Sequence, residues 1–122
     1  MRQYLWILFV CLLIACDSED NLGPEACLNN VFEAAVTEDF SRLSSLCDPM
    51  RENDPDTQRI CDVTDETAES FIEYFKTGKV VGTPTFAEGK AVIRFEFGPE
   101  SQLREASMEL IQREGKWYLF NF

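Results

Sequence analysis

The sequence predicts an α+β fold in which N-terminal helices pack on an antiparallel sheet of about four strands. Three observations carry this expectation. Between Pro24 and Phe75 apolar residues recur at helical spacing, and from Lys79 onward the period drops to two. The tripeptide Glu-Gly-Lys then occurs twice, at Glu88-Gly89-Lys90 and Glu114-Gly115-Lys116, each time between two alternating runs.

The elements follow in order. Pro24 opens a helix at a position proline tolerates, and Cys27, Leu28, Val31, Phe32 and Ala35 form its apolar stripe. Thr37-Glu38-Asp39 breaks it. Phe40, Leu43 and Leu46 mark a second short helix, stopped at Asp48-Pro49 because a residue before proline is pushed out of the helical region. The polar stretch from Asp48 to Asp62 reads as an ordered loop. A third helix is signalled by Thr64 as N-cap, Asp65 and Glu66 in the first turn, Lys76 near the end and Gly78 beyond it, with Ala68, Phe71, Ile72 and Phe75 on its buried face. Val80 to Phe86 and Lys90 to Phe97 form one hairpin, Met108 to Arg113 and Lys116 to Phe122 another. In each, glycine supplies the positive φ of a tight turn.

The start of the chain has a different character. Met1 to Ala15 carries one cation, Arg2, ahead of an apolar run from Tyr4 to Ile14, the pattern of a secretory signal. The run is about half of the ~20 residues a membrane-crossing helix needs, and Asp17-Ser18-Glu19-Asp20 follows at once. Leu13-Ile14-Ala15-Cys16 resembles the lipobox of bacterial prolipoproteins. That resemblance implies a diacylglycerol on the Cys16 thiol, cleavage by signal peptidase II between Ala15 and Cys16, and an extracytoplasmic domain lipid-anchored to a membrane of the bacterial cell envelope. The alternative is an ordinary secreted protein cut near Ala15, with Cys16 free to enter a disulfide. Asp17 resembles the inner-membrane retention signal of enteric bacteria, whereas the acidic cluster resembles the surface-export signals of Bacteroidetes lipoproteins, so inner and outer membranes both stay open. The expected organisation is a signal peptide over residues 1–15, the lipidated cysteine and a flexible spacer over 16–23, and one α+β domain over 24–122.

The chain has 11 Lys and Arg against 22 Asp and Glu, a net charge of −11, and losing Arg2 with the signal would bring it to −12. Such acidity argues against nucleic-acid binding, which needs cations to displace counterions from phosphates. It also disfavours lying flat on anionic lipid, leaving the tether as the membrane contact. Three cysteines remain in the domain. Cys47 with Cys61 would close the polar, proline-bearing segment between them, stabilising it by roughly 3 kcal/mol; Cys27 with Cys47 is the rival pairing, since a helical hairpin turning near Thr37 would bring them level. No zinc site is expected, because the chain has no histidine and no closely spaced cysteine pair. A calcium loop starting at Asp54 would place Asp56 third and Gln58 fifth, but Arg59 stands where the EF-hand requires glycine. No cofactor is implied.

Helices followed by antiparallel strands ending in Gly115-Lys116-Trp117-Tyr118 resemble the nuclear transport factor 2-like fold. The echoes are Phe32-Glu33-Ala34-Ala35 with Glu38-Asp39-Phe40 and Leu46-Cys47 at one end, and Glu109 to Leu119 at the other. The resemblance spans most of residues 24 to 122 and implies a curved sheet wrapped round helices into a cone, with Phe71, Phe75, Phe95 and Trp117 as candidate pocket lining. Members of that superfamily include isomerases, dehydratases and noncatalytic binding modules, among them small bacterial lipoproteins, so fold alone assigns no activity. Without histidine the dehydratase-type His-Asp pair cannot be built. An isomerase-like site would need a carboxyl base and a tyrosine or protonated acid as oxyanion donor, for which Tyr74 and Tyr118 are the available phenols. The leading expectation is a noncatalytic, membrane-tethered binding or accessory domain with no catalytic residue, taking an envelope protein or a small apolar ligand. The alternatives are a small-molecule isomerase or dehydratase-like enzyme and a structural or inhibitory protein-interaction module, including a homodimer through the sheet.

Overall fold

A computed structural model describes residues 23–122. The expected signal peptide, its expected cleavage point at Ala15, the expected lipid-attachment residue Cys16 and the expected spacer as far as residue 22 lie outside the described residues.

Helix α1 (Pro24–Thr37) begins with proline in its first turn and ends where Glu38 turns left-handed at φ 58°. Its buried stripe is Cys27, Leu28, Val31, Phe32, Ala34 and Ala35. The second helix expected around Phe40 to Leu46 is reduced to one 3₁₀ turn, Leu43–Ser45. Local polar bonds compete with a longer helix there: Asp39 Oδ1 accepts from the Ser41 N–H and hydroxyl, and the Ser45 hydroxyl donates to the Arg42 carbonyl. Beyond it the backbone is drawn into the sheet.

The stretch from Asp48 to Asp62, expected as loop, contains helix α2 (Pro55–Cys61). Asp54 is its N-cap, accepting from the Thr57 N–H at 3.2 Å, with Pro55 in the first turn. Such a cap is worth about 1 kcal/mol. Thr57, Ile60 and Cys61 face the core, and three buried residues in seven were too few to show periodicity among so many polar neighbours. Helix α3 (Ala68–Phe75) begins after Thr67 rather than Thr64. The Thr67 hydroxyl accepts from the Thr64 N–H at 2.9 Å, so these two threonines close a turn ahead of the helix.

Four strands, β1 (Lys79–Ala87), β2 (Lys90–Phe97), β3 (Arg104–Arg113) and β4 (Lys116–Asn121), pair antiparallel in the order β1-β2-β3-β4. Strand β3 starts at Arg104, four residues before the expected Met108, because β2 is paired with it from end to end, from Lys90 opposite Ile111 to Phe97 opposite Arg104. Both tight turns have two successive residues at positive φ, Glu88 (50°) with Gly89 (76°) and Glu114 (51°) with Gly115 (84°). That is the hairpin geometry which matches strand twist.

Ala91, Ile93 and Phe95 on β2, Met108 and Leu110 on β3 and Leu119 on β4 are all buried, while Val92 and Arg94 between them are exposed. The buried face meets α1, α3 and α2 in one core built from residues between Cys27 and Leu119. The free edge of β4 is covered by the segment after the 3₁₀ turn. Leu119 N–H donates to the Leu46 carbonyl at 2.7 Å, Asp48 N–H to the Leu119 carbonyl at 3.3 Å and Asp54 N–H to the Phe120 carbonyl at 3.1 Å. The β1 edge is interrupted between Val81 and Thr85, around Gly82 and Pro84, which blunts it against pairing with another chain. Gly78, between α3 and β1, is held to glycine by contact: a Cβ there would lie 2.0 Å from Phe32 Cδ1.

Candidate functional site

An aromatic groove opens at one end of the sheet. Helix α2 contributes Ile60, helix α3 contributes Phe71, Tyr74 and Phe75, and the end of β2 and the end of the chain contribute Phe97 and Phe122. The cavity measures about 380 Å³, within the range of small-molecule sites. Its rings contact one another: Phe71 and Phe75 have centroids 5.0 Å apart, Phe75 and Phe97 6.0 Å, and Phe97 and Phe122 5.9 Å. Phe122 is positioned from the backbone, because its N–H donates to Asp54 Oδ1 at 3.3 Å. Asp56, Arg59, Ser70 and Arg104 complete the lining.

The four aromatics expected to line one pocket fall in three places. Phe71 and Phe75 border this groove. Phe95 is fully buried, packed against Phe32, Phe97 and Phe122 with centroids 5.5 to 5.8 Å apart, so it supports the groove from within the core. Trp117 meets the exposed Phe86 edge-on at 5.9 Å and borders a different, more polar groove of about 510 Å³ between α1 and β4, alongside Asn30, Glu33, Arg42, Lys116 and Tyr118. The two phenols weighed for an oxyanion role are thereby separated, Tyr74 in one groove and Tyr118 in the other.

Cys47 and Cys61 are joined in a disulfide, and Cys27 is free. The rival Cys27–Cys47 pairing is not formed; Cys47 is bonded instead to the last residue of α2. Burial pushes the Cys27 thiol up to about 12, outweighing the opposing hydrogen bond from the Leu119 backbone. A thiol so held is neutral and a poor nucleophile.

A buried acid altered by its surroundings is Asp48, which the sequence did not single out. Arg113 binds it with two hydrogen bonds, Nε to Oδ1 and Nη2 to Oδ2, both 2.9 Å. Oδ1 also accepts from the Met50 N–H at 3.0 Å and Oδ2 from the Glu52 N–H at 3.1 Å. The Arg113 hydrogen bonds, supported by these amides, hold the carboxyl below the usual carboxylate range despite its burial. Four donors saturate its oxygens, so it is an anchored anion with no lone pair left for a substrate proton. Glu52 extends the pair, its Oε1 3.0 Å from Arg113 Nη2.

The segment weighed as a calcium loop is helical from Pro55 to Cys61, and its first carboxylate, Asp54, is spent on capping that helix and on the Phe122 N–H. Among the described residues no group of three or more His, Cys, Asp or Glu is arranged to hold a metal ion. No described helix is long and apolar enough to cross a membrane. No family model, curated protein or solved structure matches this chain.

Proposed function

We propose that this protein is a lipid-tethered domain of the bacterial envelope that binds a small apolar ligand without transforming it. The observation that carries the reading is the aromatic groove, whose floor is Ile60, Phe71, Phe75, Phe97 and Phe122. The protein surface a ligand would meet there is mostly carbon, with Asp56, Arg59, Ser70 and Arg104 as the polar part of the lining, the usual make-up of a small-molecule site. The absence of catalysis is supported by Asp48, the one buried acid among the described residues, which is fully engaged by Arg113 and two backbone amides.

The tether is supported by Leu13-Ile14-Ala15-Cys16 at the end of an apolar leader, and by α1 starting eight positions after Cys16. A lipid of two or more chains would hold such a domain at a membrane durably. The nuclear transport factor 2-like cone is part of the same proposal: helices on one face of a four-stranded antiparallel sheet, with an opening at the sheet's end, are its expected parts.

The test is saturable binding of a neutral apolar fluorophore, N-phenylnaphthylamine, to a soluble form spanning residues 17–122. Tyr74→Glu, at a position 39% exposed on the groove rim, should abolish it without unfolding the domain. Binding that Tyr74→Glu leaves intact would refute the assignment of the groove.

A further inference from the structure

The charged side chains lining the groove have a balance opposite in sign to that of the molecule as a whole. Acids outnumber cations two to one along the chain, 22 against 11, yet among the side chains of the groove lining Arg59 and Arg104 stand against Asp56. Asp56 is already paired with Arg59 at 2.9 Å. Arg94 and Arg113 likewise have carboxylate partners, whereas among the described residues no carboxylate lies within ion-pair reach of Arg104. Strand register places Arg104 directly opposite Phe97, on the side of the sheet that forms the groove floor. An unpaired guanidinium at the edge of an aromatic trough makes an anion-binding end to an apolar site.

We propose that the groove takes a single-chain amphiphile with an anionic head, its tail against Phe71, Phe75, Phe97 and Phe122 and its carboxylate or phosphate on Arg104. This rests on the groove being an apolar ligand site and specifies which ligands enter it. The sign is diagnostic, because the overall charge would favour a cationic amphiphile and only the local arginine favours an anionic one.

Calorimetric titration of the soluble form with octan-1-ol, octanoate, octyl phosphate and octyltrimethylammonium, all below their micelle concentrations, separates the cases. The anionic compounds should bind about tenfold more tightly than octan-1-ol, as one charge-assisted hydrogen bond confers, and octyltrimethylammonium most weakly. Arg104→Gln should bring the anionic compounds to the level of octan-1-ol on the same variant, whose saturable binding reports that the groove is intact. A stronger response to octanoate identifies fatty-acid heads, and one to octyl phosphate identifies phospholipid-derived heads. Equal or tighter binding of octyltrimethylammonium, or an anion preference that survives Arg104→Gln, would overturn the proposal while octan-1-ol binding still upholds the groove. Failure of octan-1-ol to bind would remove the groove reading itself.

Discussion

Arg113, the last residue of β3, reaches across to Asp48 and binds both of its carboxylate oxygens at 2.9 Å, fastening the segment before α2 to the end of the sheet. The Asp48 side chain is fully buried and that of Arg113 is 23% exposed, so the pair is largely shielded from solvent. Removing one partner of such a pair leaves an uncompensated charge in the interior. Arg113→Ala should therefore lower the urea midpoint, with the structure of the remaining sheet retained.

The same pair sets an acid limit. Asp48 has its folded-state carboxyl held below its ordinary value by Arg113, so its contribution is complete above the unfolded value near pH 4 and is lost as pH falls through the folded value. Urea midpoints measured from pH 7 down to pH 2 should fall for the native chain. Asp48→Asn should be less stable at pH 7 and show a flatter profile over that range; parallel profiles would show that Asp48 does not govern it.

Reduction has a defined cost. The Cys47–Cys61 bond closes a loop with a sequence separation of 14, for which the restriction of the unfolded chain contributes about 3 kcal/mol. Unfolding of the soluble form with and without dithiothreitol should differ by that amount. In the oxidised native protein Cys27 should resist iodoacetamide, because burial keeps its thiol protonated with a value pushed up to about 12, and it should react once urea exposes it.

Gly78→Ala should destabilise by about 2 kcal/mol, since the new methyl would overlap the Phe32 ring in a packed core. Thermal melts measure this directly. Pairing Gly78→Ala with Phe32→Leu should recover part of the loss if the clash is its cause.

The parts of the fold legible in the sequence are those with a strong local period. Ala91, Ile93 and Phe95 alternate with exposed Val92 and Arg94, and Glu88-Gly89 and Glu114-Gly115 announce turns whose positive φ few other pairs adopt. Helix α2 was hidden because its signals, Asp54 as cap and Pro55 in the first turn, sit in a run of polar residues whose burial comes from Ile60 and Cys61 alone among its apolar side chains. The groove was half legible. Phe71 and Phe75 share a helix face, but Phe122 joins them only because its N–H is held by Asp54, and Ile60 only because α2 exists. Pairing between Asp48 and Arg113, 65 positions apart, leaves no local mark.

The proposed tether has its own test. In a bacterial host fed an alkyne-labelled fatty acid, the full chain should take up label and sediment with membranes, and Cys16→Ser should lose both properties. Labelling that persists in Cys16→Ser would place the lipid elsewhere.

The central claim, that the aromatic groove is where this protein binds, is tested most directly by amide chemical-shift mapping of the soluble form as octan-1-ol is added. Saturable shifts should concentrate at Ile60, Phe71, Tyr74, Phe97 and Phe122, the residues around the groove. Shifts centred instead on Asn30, Arg42 and Trp117, in the groove between α1 and β4, would contradict it.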